Sequence, residues 1–177
     1  MEQLTAERLK SIRLLILDVD GVLTDGRIVM DDRGVESKSF HVHDGSAVFM
    51  LRAAGIETAI ISGRYAECVA HRARDLGIDE VHQAAADKLA AFEKVRRRYG
   101  LAPEQCAFMG DDILDVPLLR AVGLAAAPAD ARPEAKAVAH VVTEARGGEG
   151  AIRELAEVIL KGQGIFERLL RERYSVY

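Results

Sequence analysis

Leu14-Leu15-Ile16-Leu17-Asp18-Val19-Asp20-Gly21 joins four apolar residues directly to two acids spaced two apart. A short run with no polar interruption reads as a strand buried on both faces, as in a parallel sheet covered by helices. Acids at the end of such a strand fall where open α/β sheets bind their ligands. Outward from this stretch, short apolar runs alternate with amphipathic segments, the pattern of an α/β, doubly wound parallel sheet. Strands are predicted near residues 13–17, 57–61, 80–82, 106–109, 124–126 and 140–142, with helices between them. Gly55, Gly77, Gly100 and Gly123 each follow a helical stretch and suit left-handed caps. Asp44 suits the cap of the first helix after residue 40, and Pro103 opens a short turn before Cys106.

Residues 26–40 break the alternation. Arg27-Ile28-Val29-Met30 and Val35-Glu36-Ser37-Lys38-Ser39-Phe40 flank Asp31-Asp32-Arg33-Gly34, which reads as a β-hairpin. A two-stranded ribbon is barely stable alone and needs something to pack against. The tail, about 163–177, carries Phe166, Leu169 and Leu170 at helical spacing and reads as a docked surface helix or a frayed end. With 177 residues, 49% of them hydrophobic, the chain has the size of one domain with one sizeable core, so 1–177 is taken as a single domain. Lys and Arg number 24 against 28 Asp and Glu, which gives no support for nucleic-acid binding. Cys68 and Cys106 are too few for a disulfide framework and lack metal-ligand spacing. Met1-Glu2-Gln3-Leu4 lacks a signal-peptide pattern, and no run approaches a membrane span, so a cytoplasmic location is expected.

Three further pieces follow the first acids in order: Ser62-Gly63-Arg64, Lys88, and Gly110-Asp111-Asp112 with Asp115. Together they suit phosphoryl transfer. A carboxylate can attack phosphorus and become an acyl phosphate if a divalent cation offsets the repulsion between two anions, and Asp18 is the candidate nucleophile. Asp20 suits the second carboxyl, donating a proton to the leaving oxygen and later taking one from water. Crowding among these acids should raise the pKa of at least one. Mg²⁺ needs only one or two carboxylates and a carbonyl, which Asp18, Asp111 and the Asp20 carbonyl would supply. Ser62 can bind a phosphate oxygen, Lys88 can neutralise charge on the phosphoryl group, and Asp115 can orient Lys88 or the water around the metal. Arg64, next to the phosphate-binding serine, can reach an anionic sugar acid.

These motifs resemble those of the haloacid-dehalogenase-type phosphatases: Asp-x-Asp-x-[Thr/Val] at Asp18 to Val22, Ser/Thr at Ser62, Lys88, and Gly-Asp-Asp-x-x-Asp at Gly110 to Asp115. Within them, Asp18 to Gly26, Asp44-Gly45, Arg72-Ala73, Asp87-Lys88-Leu89-Ala90, Ala129-Asp130-Ala131 and Gly147-Gly148-x-Gly150-Ala151 resemble the small capless group that includes 3-deoxy-D-manno-octulosonate 8-phosphate phosphatases. The resemblance runs over about residues 12–164. It implies a haloacid-dehalogenase-like fold with a projecting hairpin and no cap domain. The implied activity is Mg²⁺-dependent hydrolysis of that phosphorylated sugar acid, or a similar one, on the route to lipopolysaccharide. It adds Gly63, Thr24 and Asp25 to Ser62 and Arg64 as substrate-binding residues. It also implies a homotetramer in which the hairpin builds the interface and each subunit helps to close its neighbour's site, with the glycine-rich stretch or the tail near an adjoining site.

Three positions depart from that group's pattern. His43 stands where an arginine is usual, Ala84-Ala85 follows Gln83 where Gly-Gln is usual, and Glu149 stands in the glycine-rich stretch where arginine is frequent. Alternatives are therefore a nonulosonate 9-phosphate phosphatase, although those tend to have glutamate at the Arg64 position, and the small subunit of a phenylphosphate carboxylase-type complex. A phospho-accepting receiver domain is disfavoured by motif order, since its phosphoacceptor lies on a middle strand. His41 and His43 read as alternating along a strand, permitting a metal pair without an obvious third ligand, so a polar pocket or interface role is favoured. Arg96-Arg97-Arg98 reads as a solvated helix face, and Gly147-Gly148-Glu149-Gly150 lacks the context of a P-loop.

Overall fold

Leu14–Leu17 (β1) lies at the middle of a six-stranded parallel sheet in a computed structural model that describes residues 5–176. Glu57–Ile61 (β4) pairs on one side of it, with Leu14 opposite Glu57, and Cys106–Met109 (β6) on the other, with Leu14 opposite Cys106. Glu80–His82 (β5) extends the β4 side; Leu124–Ala127 (β7) and Val141–Val142 (β8) extend the β6 side. Because the chain leaves β1 first in one direction and later returns to build in the other, a crevice opens beyond its carboxyl end. The strands occur where the apolar runs predicted them, within a residue at each end. Residues 1–4, including the stretch considered for a signal peptide, lie outside the described residues.

Successive residues of β1 point to opposite faces, and both faces are covered. Leu15 and Leu17 join a core with residues of Ala6–Ser11 (α1), Val42–Ala53 (α2), Glu67–Leu76 (α3) and Ala151–Gly162 (α7). Leu14 and Ile16 join a second core with Phe92 and Val95 of Lys88–Arg98 (α4), Leu118 and Leu119 of Val116–Leu119 (α5), and Ala135 of Pro133–Val138 (α6). Each wholly buried aliphatic side chain contributes about 1.5–3 kcal/mol. The middle strand is thereby held rigid up to the residue where its acids begin. Phe166–Tyr174 (α8) docks through buried Leu169, and Lys161 lies 4.8 Å from the Phe166 ring, so the tail is a docked helix through Tyr174. The arginine run ends α4: Arg96 and Arg97 pair with Glu93, and Arg98 with Glu80.

The hairpin forms as Val29–Met30 (β2) against Glu36–Ser37 (β3), antiparallel, with Met30 opposite Glu36. The Asp31 side chain accepts from the amides of Arg33 and Val35 and thereby fixes the turn. No cap domain is inserted among the described residues.

Local expectations differ from the structure at three places. Gly55, Gly77 and Gly100 are left-handed, but Gly123 is not. There the Glu104 backbone crosses so closely that a Cβ would fall 2.6 Å from Glu104 Cα. His41 and His43 do not alternate along a strand: His41 precedes α2 and His43 lies in its first turn, their rings meeting edge-on with centroids 5.0 Å apart. Asp44 does not cap its own helix. It lies buried in the first turn of α2 and accepts from Gly150 N at 3.1 Å and Arg153 N at 2.9 Å, so it caps α7 instead. Burial pushes its carboxyl up and the amides pull it back, with burial the larger influence. Leaving those two amides unpaired would cost about 1–3 kcal/mol each.

That cap fixes the glycine-rich loop against the first motif. Gly148 N donates to Val22 O at 2.9 Å, and a Cβ on Gly148 would fall 2.5 Å from Asp25 N. Gly147 N donates to Asp130 Oδ1 at 3.0 Å. Glycine is required here because two backbones touch. The stretch thus buttresses this chain's own Asp18 to Asp25 loop.

Candidate active site

The carboxyl ends of β1, β4 and β6 and the start of α4 meet at a cleft of about 280 Å³ lined by Asp18, Asp20, Ser62, Gly63, Arg64, Lys88, Asp111, Asp112 and Asp115. Beyond β1 the chain makes a wide turn over Val19–Leu23, with Gly21 at a φ of 82°. Both the angle and the space demand glycine, since a Cβ there would fall on the Asp111 carboxyl. Asp18 N donates to Met109 O at 3.1 Å, which ties the first acid to the neighbouring strand.

Asp115 is wholly buried at the end of the turn Ile113–Asp115. One of its oxygens accepts from the amides of Asp111 and Asp112 at 3.0 and 3.1 Å, and the other from Lys88 Nζ at 2.6 Å. Gly110 makes room for it: a Cβ there would fall 2.6 Å from Asp115 Cγ. Lys88 Nζ also lies 2.9 Å from Asp18 Oδ2, with its side chain 11% exposed. A lysine in the first turn of a helix opposes the helix dipole and is normally solvated. Here two carboxylates reverse that preference, and Asp87 caps α4 by accepting from Ala90 N at 3.0 Å.

Oxygens of Asp18, Asp111 and Asp115 lie within 4.8 Å of one another. Burial, reinforced by the Asp115 charge and partly offset by Lys88, pushes the Asp18 carboxyl up to about 7. Burial and then the charges of Asp18, Asp115 and Asp112 push Asp111 up to about 7 as well. Burial pulls the Lys88 ammonium down, but the two carboxylates outweigh it and its pKa rises. The cluster therefore has more negative charge than Lys88 can balance. That is the environment of a hard cation with oxygen ligands. Both oxygens of Asp115 are engaged, by two amides and an ammonium, which leaves Asp111 and Asp18, whose Oδ2 alone meets Lys88, as the side chains that could hold such an ion.

Ser62 is buried at the end of β4, where its amide donates to His82 O at 2.9 Å. Ala84 N donates to Arg64 O and Ala85 N to Ser62 O, so the loop after β5 fixes the serine turn. Ala84 has a φ of 53°, a left-handed conformation unfavourable for alanine. This is a position where the resembling group usually has glycine. Ala84→Gly is expected to raise the denaturation free energy by about 0.5–1 kcal/mol. An unchanged or lower denaturant midpoint would contradict the strain.

Thr24 and Asp25 are not brought into the cleft. The buried Thr24 hydroxyl donates to Val19 O and accepts from Gly26 N, both at 3.2 Å. Asp25 accepts from Arg27 N and pairs with the Arg27 guanidinium at 3.3 Å. Two residues near the cleft escaped the sequence reading. Lys38 Nζ contacts Asp20 Oδ1, and Glu36 Oε2 receives Arg64 Nη2 at 2.9 Å. Two-residue periodicity along the second hairpin strand puts Glu36 and Lys38 on one face, but nothing in that pattern says the face turns inward. Among the described residues, the grouping with metal-ligand spacing is the aspartate trio, which His41 and His43 do not join.

The haloacid dehalogenase-like hydrolase family matches residues 41–123. The 3-deoxy-D-manno-octulosonate 8-phosphate phosphatase of Yersinia pestis is 44% identical over 91% of this chain and 86% of its own length. A crystal structure of the Moraxella catarrhalis enzyme of that name, in complex with magnesium ion, phosphate ion and a KDO molecule, superimposes with a TM-score of 0.90 at 37% identity, covering 93% of this chain and 95% of that one. The cobalt-bound deoxy-D-mannose-octulosonate 8-phosphate phosphatase of Haemophilus influenzae gives a TM-score of 0.86 at 40% identity, covering 89% and 92%.

Proposed function

The chain belongs to the haloacid dehalogenase-like hydrolases, in the group of the 3-deoxy-D-manno-octulosonate 8-phosphate phosphatases, and from that premise we infer its reaction. It is a Mg²⁺-dependent phosphoric monoester hydrolase acting on 3-deoxy-D-manno-octulosonate 8-phosphate. The observation that carries this reading is the convergence of Asp18, Ser62, Lys88 and Asp111 on one cleft at the ends of separate elements.

Asp18 is the proposed nucleophile. One of its oxygens forms a bond to phosphorus as the bond from phosphorus to the sugar oxygen breaks, and Asp20 delivers its proton to that leaving oxygen. Water then attacks the phosphorus of the aspartyl phosphate, Asp20 takes the proton, and phosphate leaves with Asp18 restored. Lys88, 2.9 Å from Asp18, neutralises the phosphoryl oxygens as they approach, and Asp115 holds the ammonium in place. Ser62 and the Gly63 backbone bind the non-bridging oxygens, and Arg64 pairs with the sugar carboxylate. Thr24 and Asp25 shape the loop that carries Asp20. Asp18, Asp111 and the Asp20 carbonyl would hold Mg²⁺, which supplies the charge neutralisation that lets one anion approach another.

The enzyme acts as a homotetramer with shared sites in the cytoplasm. Ile28, Val29, Met30 and Val35 on the short hairpin are each more than half exposed, an apolar surface that a second copy would cover. Free thiols at Cys68 and Cys106 suit a reducing compartment. Among the described residues no helix is long and apolar enough to cross a membrane.

The test is a panel of sugar-acid phosphates with Mg²⁺, free phosphate being the readout. The octulosonate 8-phosphate should give the highest kcat/KM and a nonulosonate 9-phosphate a lower one. A null panel would overturn the assignment, and a monomeric mass in solution would overturn the shared sites.

A further inference from the structure

Four charged side chains from three separate segments close into a ring of alternating sign at the mouth of the cleft. Lys38 Nζ contacts Asp20 Oδ1 and lies 2.7 Å from Glu36 Oε1. Arg64 closes the circuit, with Nη2 2.9 Å from Glu36 Oε2 and Nε 3.8 Å from Asp20 Oδ2. Lys38 is the desolvated member: its side chain is 1% exposed, against 42% for Arg64. An ammonium withdrawn from water is tolerated only where its partners are fixed, and removing a partner from such a pair costs several kcal/mol. The pairing therefore holds Asp20 in one orientation as firmly as it holds the lysine. No other described side chain lies within hydrogen-bond or ion-pair distance of Asp20 except Arg64.

We propose that Lys38 is a positioning residue: through its contact with Asp20 Oδ1, the hairpin sets the carboxyl that protonates the leaving oxygen. Resting on the phosphatase reading, the proposal gives the hairpin a task inside its own chain's site. Glu36 neutralises Lys38 and at the same time holds Arg64. When Arg64 turns to a sugar carboxylate, Asp20 Oδ2 is freed to carry the proton that it donates, while Lys38 still fixes Oδ1. Acid help matters in proportion to how poor the leaving group is. A sugar alkoxide cannot leave without a proton, whereas p-nitrophenolate can.

The test compares kcat/KM, which reports the chemistry up to formation of the aspartyl phosphate, for the sugar-acid phosphate and for p-nitrophenyl phosphate. Lys38→Met is expected to lower the value for the sugar phosphate by about 10²-fold, the lower end of what general acid catalysis contributes, and that for the aryl phosphate by no more than about threefold. Asp20→Ala should give the same selective loss, and adding Lys38→Met to it should change the ratio no further. The ratio of the two values does not depend on the fraction of protein folded. Should Lys38→Met not fold at all, Glu36→Gln, which loosens the same ammonium, is expected to shift the ratio in the same direction. Equal losses on both substrates, or effects of Lys38 and Asp20 that multiply, would overturn the proposal. A wild-type protein inactive on both phosphates would overturn the phosphatase reading and this proposal with it.

Discussion

Asp18→Asn is expected to abolish turnover, by on the order of 10⁴-fold or more, the scale seen when a covalent nucleophile is removed. The amide occupies the same volume but has no anionic oxygen to bond to phosphorus. The fold should persist. Asp18 contributes no apolar packing, Lys88 keeps Asp115 as a partner at 2.6 Å, and burial already disfavours the Asp18 charge. Asp111, raised partly by the charge of Asp18, is relieved by the substitution. The variant should therefore melt no lower than the wild type without metal, while releasing no phosphate above background. Retained turnover would reject the covalent route, and a collapsed melting transition would reject the expectation that the fold does not depend on the Asp18 charge.

Chelation of Mg²⁺ is expected to lower kcat by at least about 10³-fold, because charge stabilisation worth several kcal/mol disappears. The same loss should be visible in stability. Asp18 and Asp111 rise from the ordinary 3.8 to about 7 in the folded chain. Between those values the folded state binds more protons than the unfolded one, so the metal-free protein loses stability as pH rises through that window. Adding Mg²⁺ should reverse the loss, with a larger gain in Tm above neutrality than below it, since at lower pH protons compete for the same oxygens. Thermal melts at several pH values, with EDTA or with Mg²⁺, check both signs. A Tm gain independent of pH would remove Asp18 and Asp111 as the ligands.

What was legible in the sequence was whatever period and order encode. Runs such as Leu14 to Leu17 and Cys106 to Met109 have no polar interruption, so a two-sided strand is their only comfortable state, and both formed as strands. The order of Asp18, Ser62, Lys88 and Asp111 anticipated one cleft because each follows an element whose end the parallel sheet places at the same edge. What escaped was partnership across long separations. Asp44 looked like a cap for the helix it occupies, yet its oxygens meet amides more than a hundred residues away. Lys38 has no signal of its own in the sequence, because alternation gives the face of a strand but not what that face meets. Thr24 and Asp25 sit beside the motif acids in sequence, but the turn at Gly21 sends their side chains into the loop itself.

The most direct measurement is chemical trapping of the bond on which the proposed mechanism depends. Mg²⁺-loaded enzyme is mixed with the octulosonate 8-phosphate, quenched in acid during turnover and reduced with borohydride, which converts an acyl phosphate to the alcohol. Peptide mapping should then recover residue 18 as homoserine, only in samples that received substrate. Reduction at Asp20 or Asp111 in its place, or an unmodified peptide throughout turnover, would contradict Asp18 as the nucleophile.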